Sequence, residues 1–95
     1  MVNEMKVKPP REKIIRDMRK GIVEFTFTKT DGELREMRGT LVNRVIPEDK
    51  IPTTDYNSVS KANPDVIRCF DIDIKDWRSF KISTLQSYEG VKRAL

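Results

Sequence analysis

Polar and apolar residues alternate in several short runs of this chain, and one stretch ahead of them carries a helical period instead. Ile14, Ile15 and Met18 fall on one face at i, i+1 and i+4, while Glu12 and Arg16 form an i,i+4 pair. Pro10 suits a first helical turn because its missing N–H would have no partner there. Arg19 and Lys20 complement the negative end of the helix dipole, and Gly21 stands where a cap is needed. The spacing predicts a helix over 10–20. So short a helix is marginal alone and needs a sheet to lie on.

Val23, Phe25 and Phe27 alternate with Glu24, Thr26 and Thr28, which predicts a strand over 22–29. Met37, Gly39 and Leu41 share one face of a second strand over 33–41. A two-residue Asp31-Gly32 turn between them would pair Phe25 with Arg38 and Phe27 with Glu36, placing charges on the apolar face. A three-residue loop, Thr30-Asp31-Gly32 with Gly32 left-handed, instead pairs Phe25 with Met37, Val23 with Gly39 and Glu24 with Arg38. A one-residue slip flips every side chain, so the face pattern selects the three-residue loop. Residues 43–64 contain Pro47, Pro52 and Pro64 with little periodicity and read as a long loop, with one helical turn at Pro47-Glu48-Asp49-Lys50 and a return to order at Asn63-Pro64.

Strands follow over 65–72 and 77–82. Setting Cys69 across from Phe80 and Ile67 across from Ile82 also sets Asp71 across from Arg78 and Ile72 across from Trp77, which suits both faces. Residues 84–88 predict a short fifth strand with Leu85 inward, and 89–95 read as a basic tail. Residues 1–9 read as a flexible basic arm, leaving a single domain over 10–88. A short helix followed by about five antiparallel strands, most with one apolar face, is best satisfied by a small, partly open barrel whose end the helix covers.

Charge narrows the function classes. The net charge is +4, and residues 1–20 hold seven Lys/Arg against three Asp/Glu, so the whole excess lies in the N-terminal part. A basic arm on a neutral body suits an anionic partner such as nucleic acid, or simply a solvated helix face. The chain has no histidine and one cysteine, Cys69. Zinc sites and Ser-His or Cys-His catalysis are thereby excluded in cis, and an internal disulfide cannot form. The four glycines are dispersed, so no phosphate-cradling loop exists. No apolar run is long enough to span a bilayer, and a cytoplasmic protein that binds no membrane is expected.

The run from Asp71 through Asp76-Trp77-Arg78-Ser79-Phe80-Lys81, with Ile82 and Leu85 after it, resembles the closing hairpin of the WYL domain. The likeness is clear over 65–86, looser over the first hairpin, and nearest to short, stand-alone phage versions. The triplet that names the family falls at Asp65-Val66-Ile67, so of its residues only the apolar third position is kept. The resemblance implies an Sm-like (Src-homology-type) barrel of five strands, mainly β, with an N-terminal α-helix. It also implies that Arg78 is the transferable binding residue.

Among the outward residues, Arg68, Trp77 and Lys81 share a face, giving two cations beside an aromatic, the minimal kit for a single-stranded nucleic acid platform. Trp77 either stacks on a base or packs against Ile72 or the helix. Arg78 either meets phosphate or pairs with Asp71. Arg35 lies inward near the barrel end, and Arg16, Arg19 and Lys20 would hold phosphates from the helix. Phe80, Ile67, Cys69, Phe25, Phe27 and Met37 read as core, and Asp71, Asp73 and Asp76 as turn formers without the glycine and distal glutamate of a calcium loop. No catalytic residue, metal or cofactor is expected. The function expected first is a non-catalytic, phage-type regulatory accessory protein that binds nucleic acid, single-stranded by preference, or a host nucleoprotein machine. The alternatives are a protein-interaction module acting on a host protein and a homo-oligomeric structural barrel.

Overall fold

A computed structural model describes residues 8–51 and 63–95. Most of the N-terminal arm (1–7) and part of the long loop (52–62) lie outside the described residues. The order is α1 (Arg11–Lys20), β1 (Gly21–Thr28), β2 (Leu34–Thr40), a 3-10 turn (Glu48–Lys50), β3 (Val66–Asp71), β4 (Asp76–Lys81), a second 3-10 turn (Ile82–Thr84) and β5 (Leu85–Ala94). The strands form one antiparallel sheet in the order β4-β3-β2-β1-β5, open between β4 and β5. No helix among the described residues is long and apolar enough to cross a membrane.

The sheet curls around its apolar face. Val23 and Phe25 of β1, Met37 of β2, Ile67 and Cys69 of β3, Phe80 of β4 and Leu85 of β5 form one buried cluster, joined by Ile14 and Met18 of α1. The Phe80 ring lies 4.5 Å from that of Phe25 although two strands separate them in the ladder, so the curl nearly brings β4 back to β1. Burying side chains of this size contributes about 1.5–3 kcal/mol each, and the helix gains its stability by covering the cluster.

The first hairpin has the register set by the face pattern: Val23 pairs with Gly39, Glu24 with Arg38 and Phe25 with Met37, with Gly32 left-handed at φ 89°. The second hairpin differs from expectation. Ile67 faces Phe80, Cys69 faces Arg78, Phe70 faces Trp77 and Asp71 faces Asp76, a slip of two residues. The loop therefore begins at Ile72, because Asp71 Oδ1 accepts the N–H groups of Asp73 (2.9 Å) and Ile74 (3.4 Å), and Lys75 closes the turn at φ 56°. An even slip leaves each side chain on its expected face.

The last strand is also longer than expected. Residues 89–94 are not a tail but the second half of β5, pairing with β1 from Glu24–Gly90 to Gly21–Ala94. Gly21 caps α1 in an extended conformation (φ 176°) rather than a left-handed one. Its glycine is required by close approach, since a Cβ there would stand 2.0 Å from the Arg93 carbonyl oxygen. The carbonyls ending α1 are taken up by distant chain: Leu41 N–H donates to Met18 O and Leu95 N–H to Lys20 O. Thr40, fully buried, donates from Oγ1 to Gly21 O at 2.8 Å and accepts from Val42 N–H at 3.1 Å.

Candidate functional site

The outward face of β3 and β4 carries Arg68, Trp77 and Lys81 together, as their parity required. Pairing of Phe70 with Trp77 sets the indole edge-on to the Phe70 ring at 5.9 Å, and Phe70 is buried beneath it. The indole Nε1–H donates to Lys50 O at 2.7 Å, so the loop after β2 is fastened across β4. Trp77 thus packs on Phe70 and Lys50, where the sequence suggested Ile72 or the helix. The Arg68 guanidinium carbon lies 5.5 Å from the ring centroid, within cation–π range. Lys50 also reaches Asp76 at 3.4 Å. Asp76 is held below the usual carboxylate range by the Trp77 N–H and then by Lys50. Lys81 sits opposite Val66, whose carbonyl accepts a bond from Arg11 of α1.

The remaining candidates are dispersed. Arg78 lies on the opposite face of β4 from Trp77, exposed, across from Cys69 rather than Asp71, so the expected Asp71–Arg78 pair does not form. Asp71 instead meets Arg35 at 3.0 Å, with the carboxylate buried and the guanidinium partly exposed. Arg35 thereby serves as the partner of a buried turn-forming acid, which leaves it less able to line an open binding pocket. Arg16, Arg19 and Lys20 stand exposed on α1. The three turn acids each have a separate partner: Asp71 binds Arg35, Asp73 binds Arg38 (Nε at 3.3 Å) and Asp76 binds Lys50. The thiol of Cys69 is fully buried and pushed upward by burial and then by Asp71, which suppresses thiolate chemistry.

The family model described as WYL_2, Sm-like SH3 beta-barrel fold, matches residues 11–86. This chain belongs to the WYL_2 family. It is similar to an "Uncharacterized 11.5 kDa protein in Gp31-cd intergenic region" of Enterobacteria phage T4, 34% identical over 76 residues that cover 76% of this chain and 70% of that protein. No solved structure matches the chain.

In this WYL_2 domain, acids predominate in one groove of the sheet. The outer side of β1, β2 and β5 forms a shallow groove of about 290 Å³ lined by Glu24, Glu36, Glu89 and Asp73, with Arg38 as the one cation among its described lining residues. That groove is acidic, while Arg68 and Lys81 on β3 and β4 and Arg16, Arg19 and Lys20 on α1 are exposed cations. Two polar features had little signal in the sequence. Lys50 enters the site through its backbone, which composition cannot show. Asp17 stands between Ile14 and Met18 on the buried stripe of α1, where it accepts from Tyr88 OH at 2.7 Å and pairs with Lys13 at 2.9 Å. An acid inside an apolar stripe was the available clue.

Proposed function

We propose that this WYL_2 chain is a non-catalytic, phage-type accessory protein of the cytoplasm that binds single-stranded nucleic acid, alone or within a nucleoprotein machine. The observation that carries the reading is the cation–π contact of Arg68 with the Trp77 ring at 5.5 Å, with Lys81 on the same face. An indole beside a guanidinium offers π surface and positive charge to a base, and flanking cations hold the backbone. Arg16, Arg19 and Lys20 on α1 add contacts that carry no sequence information. The acidic outer side of β1, β2 and β5 restricts the strand to one side of the domain.

Trp77 is the one tryptophan of the chain, so its fluorescence reports on this face alone. Titration with single-stranded DNA and RNA oligonucleotides is expected to change that emission. For about three phosphates held, affinity is expected to fall about twentyfold between 50 and 200 mM salt. Arg68→Ala with Lys81→Ala is expected to flatten the salt slope by more than one phosphate. Absence of binding at low salt, or wild-type affinity in the double variant, refutes the reading.

A further inference from the structure

β4 forms one edge of the sheet, and part of its outward side is open. The Ile82 N–H donates to Asp65 O at 2.8 Å, one step beyond the Ile67–Phe80 and Cys69–Arg78 pairs. The alternation of an antiparallel ladder therefore turns the peptide groups of Phe80 and Arg78 toward β3 and those of Trp77, Ser79 and Lys81 away from it. Two outward groups are satisfied locally: Trp77 N–H donates to Asp76 Oδ1 and Lys81 O accepts from Thr84 Oγ1. The peptide groups of Ser79 and the N–H of Lys81 remain directed outward. Neither proline nor bulge blunts this edge, although such devices commonly protect exposed strands.

A groove of about 340 Å³ runs beside that edge, between β4 and the β1–β2 turn. Phe27, Phe80 and Val66 line it, Lys29 and Lys81 border it, and none of its described lining residues is acidic. Among the described residues Lys29 pairs with Asp31, an exposed contact at 3.5 Å that competes weakly with a better-placed carboxylate. Open peptide groups beside an apolar slot are the requirements for adding a strand: main-chain bonds hold it, and alternate side chains enter the slot.

We propose that this groove takes an acidic, extended segment of a partner protein, which adds as a further strand along Ser79–Lys81 and places its carboxylates against Lys29 and Lys81. A second copy of this chain is a poorer fit. The other open edge, β5, would present Glu89 with Lys92 and Arg93, and it is broken by three register shifts and by Gly90 at φ 76°. The groove lies on the β4 edge and shares Lys81 with the nucleic-acid face, so the two ligands would compete for that cation, but the peptide site does not depend on the nucleic-acid reading.

Selection from a library of random dodecapeptides on the full chain is expected to enrich alternating acidic and apolar sequences. A labelled peptide of the enriched consensus, followed by fluorescence anisotropy, is expected to bind at least about tenfold more weakly to Lys29→Glu. It is expected to lose binding to Ser79→Pro, which removes an outward N–H and leaves the β3 ladder intact. Amide shifts in the wild-type complex should concentrate at Ser79, Lys81 and 27–30. Lys29→Glu leaves Arg68, Trp77 and Lys81 in place, whereas Ser79 stands across from Arg68, so oligonucleotide titration of the Lys29 variant reports separately on the nucleic-acid face. The proposal is overturned by absent enrichment, by enrichment without acids, or by wild-type peptide binding in a folded Ser79→Pro variant. Self-association that Ser79→Pro abolishes would overturn it in favour of a second copy.

Discussion

Replacing Thr40 by valine removes a hydroxyl that joins helix, sheet and loop while preserving most of the side-chain shape. Thr40 is fully buried, its Oγ1–H donates to Gly21 O at 2.8 Å with Met18 O at 3.2 Å, and its Oγ1 accepts from Val42 N–H at 3.1 Å. Met18 O keeps the Leu41 N–H at 2.8 Å, so two groups lose their described partner: Gly21 O and Val42 N–H. A buried polar group left unpaired costs about 1–3 kcal/mol. For two such groups the expected loss is about 2–6 kcal/mol, a large share of the 5–15 kcal/mol typical of a small domain. Thr40→Ser keeps the hydroxyl and removes a methyl, and should cost only about 1 kcal/mol. Urea denaturation followed by Trp77 emission measures both, and an unchanged m-value would show that the denatured state is the same. A Thr40→Val cost below about 0.5 kcal/mol, or a serine variant as damaged as the valine one, would refute this role of the hydroxyl.

Two further perturbations test other parts of the structure. Burial alone would raise the Asp17 carboxyl, but hydrogen bonds from Lys13 and Tyr88 outweigh it and hold the group below its ordinary 3.8, so its contribution is present above that pH and lost as pH falls through the lower, folded value. Tyr88→Phe should cost about 1–2 kcal/mol at neutral pH and move the onset of acid unfolding upward, which circular dichroism against pH will show. Burial, and then the bond to Asp17, raises the Tyr88 phenol, so wild-type stability should also decline as pH rises past 10, a decline absent from the Phe variant. A Cβ at Gly39 would stand 2.7 Å from Cys69 Sγ, so Gly39→Ala should cost about 1–3 kcal/mol and Cys69→Ala should relieve part of that strain in a double-mutant cycle.

The amino-acid pattern alone determined the helix, the first hairpin and the inward face. Phe25 and Phe27 alternate with polar residues, and only a three-residue turn keeps Arg38 and Glu36 off their face, so local information suffices there. The same parity placed Arg68, Trp77 and Lys81 together. It was blind to a slip of two in the second hairpin, because a period of two looks identical after such a shift. That register was decided by Asp71, whose carboxylate caps the turn and binds Arg35 from a strand that lies far away in sequence. The second half of β5 was equally hidden. Glu89, Gly90, Lys92 and Arg93 read as a solvated tail, and they become a strand only because β1 presents an unpaired edge with Gly21 allowing close approach. Alternation fixes which way a side chain faces. Which partner it meets depends on contacts between distant segments, and those exist only once the sheet has curled.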